Sequence, residues 1–244
     1  MAKISRHGGS GGPDAGQRLL KVRVKSAKKR TLASRRWLER QLNDPYVAAA
    51  KRDGMRSRAA YKLIELDDKL KILKPGQRVI DLGAAPGGWA QVAATRVHAT
   101  EALGQRGQVV AIDISEMEAL PGVSILHLDF MADEAPARLI ALLRGHKADV
   151  VLSDMAAPSS GHARTDHIRI MGLADAAGLF ASQVLAPGGA FIAKVLQGGT
   201  EKDLLDQLKS DFTTVRHVKP PASRADSSEL YVVATGFRKV GESA

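Results

Sequence analysis

The chain has 244 residues, 44% of them hydrophobic and none of them cysteine, which excludes a disulfide framework, a thiolate zinc site and a cysteine nucleophile. That length suits one sizeable core plus an appendage and is short for two full domains. No run approaches the roughly 18 to 20 apolar residues of a membrane span, and the N-terminus lacks a signal peptide's apolar core, so a soluble cytoplasmic protein with no membrane partner is expected.

The net charge of +10 is unevenly placed. From Met1 to Asn43 there are twelve Lys or Arg against Asp14 and Glu39, and the rest of the chain holds twenty-four of each sign. A basic arm on a neutral body is a common footprint of nucleic-acid binding, because every phosphate neutralised releases counterions. A solvated tail and, more weakly, a transit peptide are the rival readings of the same residues.

In chain order, residues 1–30 carry Gly8, Gly9, Gly11, Gly12 and Gly16 and then Lys28-Lys29-Arg30 with no apolar period, which predicts a basic, disordered arm. One domain is expected over 31–244, with N-terminal helices over 31–70 and a sheet core over 78–239. Trp37, Leu38 and Leu42 share a helical face, and Ser57 is a candidate cap for a helix through Tyr61, Leu63, Ile64 and Leu66 that also carries Lys62. Pro75-Gly76 breaks the chain before the first strand. Strands are expected at about 78–82, 108–113, 123–127, 149–153, 189–196, 213–218 and 229–236. Helices are expected at 88–100, 133–144, 166–186 and 201–210. This alternation predicts a Rossmann-like α/β fold, a doubly wound and mostly parallel seven-stranded sheet with helices on both faces. The last connection, with Pro220-Pro221 and a polar loop but no helix, predicts that the final strand enters antiparallel.

The first strand runs into Asp81-Leu-Gly-Ala-Ala-Pro-Gly-Gly-Trp89. A Gly-rich strand-to-helix turn lets the backbone approach a ligand and presents free N–H groups, although it also serves as a plain structural turn. Gly83, Gly87 and Gly88 do not have the Gly-x-Gly-x-x-Gly spacing of a dinucleotide site, which points to a compact nucleoside cofactor. Asp113 closes the second strand, where such folds place the acid that accepts ribose hydroxyls, and Asp129 follows the third. Asp154 follows the fourth. Lys194 lies near the end of an apolar fifth strand, a costly place for a charge unless it is paired or functional. Glu229 opens the last strand, so an antiparallel entry brings it to the same sheet edge. Asp154, Lys194 and Glu229 can then converge there, with Lys62 supplied by the preceding helix. A buried salt-bridge network that fixes strand register is the other use of such a set.

Several motifs together resemble the FtsJ (RrmJ-like) family of ribose 2′-O-methyltransferases over about residues 44–239. They are Ser57-Arg-Ala-Ala-Tyr-Lys-Leu63, Asp81-Leu-Gly-Ala-Ala-Pro-Gly-Gly-Trp89, Leu152-Ser-Asp-Met155, Lys194-Val-Leu-Gln-Gly198, and Lys219-Pro220 followed by Ser223-Arg224 and Ser227-x-Glu229-x-Tyr231. The resemblance implies S-adenosyl-L-methionine as cofactor, contacted at Gly87, Trp89, Asp113, Asp129 and Asp154. It implies a catalytic tetrad of Lys62, Asp154, Lys194 and Glu229, and no metal. It also implies a uridine ribose in the A-loop of large-subunit (23S) rRNA as substrate, met on the RNA or the 50S subunit late in assembly by a monomeric enzyme. Two features depart from the pattern: the proline of Asp154-Met-Ala-Ala-Pro158 stands one place late, and the basic arm is long.

For such a reaction Lys194 is the candidate acceptor of the hydroxyl proton. A free lysine has a pKa of about 10.4, so Lys62, the cationic cofactor and burial would have to outweigh Asp154 and Glu229. A charged Lys194 that only orients the oxygen fits the sequence equally well. RNA is expected to be held through phosphates by Arg56, Arg58, Lys62 and the arm, since aromatics are only 4% of the chain. His162 and His167 read as surface histidines. The competing functions are 2′-O-methylation of tRNA or another RNA, a non-catalytic rRNA-binding assembly factor, and, at the level of fold alone, a nicotinamide dehydrogenase.

Overall fold

The computed structural model describes residues 32–101, 104, 106–158, 160–197 and 202–238. The basic arm expected over residues 1–30 lies outside them. The chain divides into two compact units at Arg58/Ala59.

In the first unit α1 (Leu32–Leu42) and α2 (Pro45–Arg52) are short helices. Asp44 caps α2 by accepting the Tyr46 N–H at 3.0 Å, and Pro45 takes the first helical position, where its missing N–H costs nothing. Arg58 belongs to the same unit, bonds Asp44 at 3.1 Å and lies over the Tyr46 ring.

In the second unit α3 (Ala60–Leu70) leads into β1 (Arg78–Leu82), α4 (Gly88–Arg96), β2 (Gln108–Asp113), β3 (Val123–His127), α5 (Ala135–Leu142) and β4 (Ala148–Ser153). The chain continues through α6 (Ala163–Val184), β5 (Leu185–Leu196), α7 (Lys202–Asp211), β6 (Phe212–Val218) and β7 (Glu229–Phe237). The seven strands stand in the order β3-β2-β1-β4-β5-β7-β6, and β7 is antiparallel to both neighbours, as the helix-free loop before it predicted.

The interior of β2 is apolar without alternation and fully buried, and β1 and β4 follow the same pattern apart from the buried Asp81 and the half-buried Asp149, as parallel strands covered on both faces require. One face packs Ile80, Val110, Val151 and Phe191 against α5, α6 and α7 through Leu139, Met171, Phe180, Leu204 and Leu208. Phe130 meets Phe180 edge-on at 5.6 Å. On the other face α4 packs on β1 and β2, with α3 against α4.

The element boundaries differ from expectation in informative places. Helix α4 stops at Arg96 because His98 turns to φ 60°, and β5 begins at Leu185 through a register shift opposite Ala148 and Val150. Ser57 is not the cap of α3: Ala59 holds that position, without a side-chain bond, and the Ser57 hydroxyl is buried with no partner in reach.

The chain order jumps outward from β1 to β2 and β3 and returns to β4 on the other side. That switch point opens a crevice at the carboxyl ends of β1 and β4, where ligands of doubly wound sheets bind. Gly83 sits there at φ 73°, and a Cβ on it would come within 2.5 Å of Met155, so the close approach of the two strand-end loops requires glycine.

Candidate active site

Strand register assembles the site. Lys194 of β5 stands opposite Tyr231 of β7, and Glu229 stands opposite Leu196. Directly paired residues share a face, as do residues two apart on a strand. Lys194, Tyr231 and Glu229 therefore project to one side, and Asp154 follows Ser153, whose partner is Ala193.

The four expected charged residues form two linked ion pairs. Lys62 Nζ bonds both oxygens of Glu229 at 2.8 Å, and the Ser223 hydroxyl donates to Glu229 Oε1 at 2.8 Å. Lys194 Nζ donates to Asp154 Oδ1 and to the Asp154 carbonyl, each at 2.8 Å. The Tyr231 hydroxyl donates to Asp154 Oδ1 at 2.7 Å and lies close enough to Glu229 to feel its charge. All four charged side chains are between 10% and 16% exposed.

Burial pushes the Asp154 carboxyl upward, but the charges of Lys194 and Lys62, and hydrogen bonds from Lys194 and Tyr231, outweigh it and hold the group below the usual range. Tyr231 moves the other way: burial, then the Asp154 and Glu229 charges, raise its phenol well above the ordinary value. It remains a hydrogen-bond donor at any physiological pH.

Tyr231 is the member of this cluster to which the residue-by-residue reading assigned no role, although it lies in a quoted motif. The available signal was a phenol in an apolar strand two places from Glu229, where its hydroxyl needs a partner. Ser223, Lys219 and Glu65 were also unassigned. Lys219 Nζ bonds the carbonyls of Ala225 and Ser227 at 3.3 and 2.7 Å, and Glu65 accepts the Ala222 N–H at 2.6 Å. These bonds fix the polar loop that presents Ser223 to Glu229.

Beside the tetrad lies a cleft of about 700 Å³ bordered by Gly83, Asp113, Asp129, Asp154, Met155 and Arg169. Asp113 accepts the Ala85 N–H at 2.9 Å and the Ser115 N–H at 2.7 Å, one on each oxygen. Asp129 Oδ1 accepts the Met131 N–H at 2.9 Å. Each carboxylate keeps acceptor capacity toward the cleft. Ile114 and Met131, also in the lining, are more than half exposed and give the rim an apolar surface for a flat base. Acceptors for ribose hydroxyls, an apolar rim and a Gly-rich floor fit S-adenosylmethionine, and the Asp154 carboxylate suits its positive charge.

Gly87 and Trp89 are placed differently from the three aspartates. Gly87 turns the chain at φ 107° into α4. Trp89 is 2% exposed, donates from Nε1 to the Ala59 carbonyl at 2.8 Å, and packs on Tyr231 at 5.4 Å. Neither borders the cleft. Pro158, one place later than in the family pattern, does border it. Arg58 and Lys62, expected to hold phosphates, are each bonded to an internal carboxylate instead.

Asp81 lies beneath this site, fully buried, with no donor in good hydrogen-bond geometry at either oxygen. Burial, then the neighbouring charges of Asp154 and Asp113, raise its carboxyl well above the usual range, against a smaller opposing pull from the Ala90 N–H.

The family model for FtsJ-like methyltransferases matches residues 55–237. The protein named ribosomal RNA large subunit methyltransferase E from Xanthobacter autotrophicus is 63% identical over 93% of this chain and 87% of its own length. The protein of the same name from Parvibaculum lavamentivorans is 58% identical over 100% of this chain and 98% of its own. A crystal structure described as that of a ribosomal RNA methyltransferase from Plasmodium falciparum superposes with a TM-score of 0.65 at 32% identity, covering 75% of this chain and 98% of that one. With that match and those relatives spanning the fold and the site just described, the chain belongs to the FtsJ-like methyltransferase family.

Proposed function

We propose that the protein transfers a methyl group from S-adenosylmethionine to the 2′-hydroxyl of a uridine in the A-loop of large-subunit (23S) rRNA, late in assembly of the 50S subunit. The observation that carries this reading is the joined pair of ion pairs, Lys62–Glu229 and Lys194–Asp154, beside the Asp113/Asp129 cleft. Support for the substrate comes from the relatives, whose name is that of large-subunit ribosomal RNA methyltransferases. On this reading the enzyme acts in the cytoplasm as a monomer, and none of the described helices is long and apolar enough to cross a membrane.

Bound S-adenosylmethionine supplies an electrophilic methyl carbon on a good leaving group. The chain's tasks are to align the 2′-oxygen and take its proton. Lys194 Nζ has two of its positions committed to Asp154, and the remaining one serves the substrate oxygen. A neutral amine can donate both N–H groups to Asp154 and keep its lone pair for the hydroxyl proton. Asp154, held by Tyr231 on its other side, orients that amine. Lys62 and Glu229 complete the charge balance. The arm over residues 1–30 adds non-specific affinity for phosphates; deleting it should weaken RNA binding and flatten its salt dependence.

The test is incubation with labelled cofactor and either naked rRNA or isolated 50S subunits that lack the modification, followed by mapping of the labelled nucleotide. A 2′-O-methyl group on one A-loop uridine establishes the reading. Label on tRNA alone, or binding to rRNA with no label despite cofactor binding, would replace it by the other-RNA or assembly-factor reading.

A further inference from the structure

The opposite edge of the sheet carries a second basic feature that takes no part in the site above. At the amino ends of β1, β2 and β3 lies a cleft of about 680 Å³ bordered by Arg78, Arg106, Arg144, His146, Gln108 and Ser124. No Asp or Glu borders it. Among the described residues no carboxylate forms an ion pair with the side chain of any of these three arginines, although Asp149 accepts the Arg78 backbone N–H at 2.7 Å, whereas Arg52, Arg58 and Arg96 each bond an aspartate. Arg106 and Arg144 are exposed and Arg78 half-buried.

The cleft is held open by rigid backbone. A Cβ on Gly107 would come within 2.4 Å of the Val97 carbonyl, and one on Gly122 within 2.8 Å of Ala99, so both glycines mark tight packing between the loop after α4 and the starts of β2 and β3. Arg144 follows α5 in the left-handed region at φ 54°. The Arg106 side chain is anchored by its own Nε, which donates to the Ala99 carbonyl at 3.2 Å, leaving the guanidinium's other N–H groups for a ligand.

We infer that this cleft is a second phosphate-binding site, which takes the sugar-phosphate backbone of the RNA substrate at a distance from the methylated nucleotide. Three unpaired guanidiniums around one concavity, with a neutral amide and a hydroxyl, match phosphate oxygens in charge and in donor geometry. Gln108 and Asp113 are the two ends of β2, and five steps of about 3.3 Å put them roughly 17 Å apart. The two sites are therefore separate, and a folded RNA or a ribosomal subunit is large enough to meet both. The inference rests on the RNA-substrate reading.

The experiment compares the full chain with R106Q/R144Q and R106K/R144K variants. It measures equilibrium binding to large-subunit rRNA across a salt series, and steady-state methylation of the same RNA. The Gln pair is expected to raise Kd and KM about tenfold with kcat and cofactor affinity unchanged, and to lower the slope of log K against log salt by roughly one and a half to two, given about 0.7–0.9 per phosphate contact. The Lys pair should recover the salt slope, which reports the charge, and only part of the Kd and KM loss, because an ammonium lacks the paired donors of the guanidinium. An unchanged slope and unchanged KM in the Gln pair overturn the inference. If the wild-type protein methylates no rRNA at all, the proposed function fails, and the binding slope still decides the cleft.

Discussion

Tyr231 and Asp154 are 77 positions apart in sequence and share a 2.7 Å hydrogen bond, phenol to carboxylate, at the center of the candidate site. The bond ties the end of β4 to the antiparallel strand β7. It also means that Asp154 holds Lys194 with one partner already fixed, so the lysine's position is set by sheet register and not by a free surface rotamer.

Removing that hydroxyl should impair turnover without unfolding the protein. Tyr231→Phe keeps the ring against Trp89 and removes one hydrogen bond to a charged acceptor, a loss of about 1.5–3 kcal/mol at most. We expect kcat to fall roughly tenfold, with cofactor Kd within about twofold. Steady-state kinetics and calorimetry check it; an unchanged kcat would show that Asp154 is held adequately by Lys194 alone.

Lys194→Ala should abolish turnover, by at least about a hundredfold as expected for a lost proton acceptor, while the Asp113/Asp129 cleft still binds cofactor. Steady-state turnover and calorimetric cofactor binding of the variant check this. Lost cofactor affinity with normal turnover would refute the assignment.

The Lys62–Glu229 pair should show strong coupling in a double-mutant cycle. Lys62→Met leaves Glu229 with the Ser223 hydroxyl and an unbalanced charge. Because both side chains keep some exposure, at 11% and 16%, the cost should fall below the roughly 3–5 kcal/mol of fully buried pairs. Lys62→Met/Glu229→Gln should be more stable than Lys62→Met. Urea unfolding of the four proteins measures it, and strict additivity would mean that the pair contributes nothing to stability.

Asp81 predicts a pH dependence of the opposite sign from Asp154. Its folded-state carboxyl is raised, so the native state holds the proton more tightly than the unfolded chain. Its contribution is fully present below about pH 4, the unfolded value, and is lost as pH rises through the folded value. Asp154, which is lowered, contributes above about pH 4 and loses that contribution as the pH falls through its folded value. Asp81→Asn mimics the protonated acid, so its melting temperature relative to wild type should climb from pH 4 to pH 8. A difference that is flat across this range would show that Asp81 is ionised in the native state.

The amino-acid sequence alone carried most of the fold, because its evidence is local. Apolar runs such as Val109–Ile112 and Val150–Leu152 mark buried parallel strands by composition, and Pro75-Gly76 and Gly83 bound the first strand. The helix-free Pro220-Pro221 connection implied the antiparallel entry of β7. Among the motif residues Lys194 was legible because a charge in an apolar strand is costly, Asp154 and Glu229 because they stand at strand ends on one sheet edge, and the set with Lys62 through its resemblance to the FtsJ family. Tertiary structure decided the rest. Only the β5–β7 register puts Tyr231 opposite Lys194 and makes a core tyrosine part of the site. Only packing turns the Trp89 indole toward the Ala59 carbonyl and Tyr231, leaves Asp81 without a donor in good geometry and commits Arg58 to Asp44. Pairings across dozens of residues depend on where a whole sheet has closed, and no window of sequence contains that information.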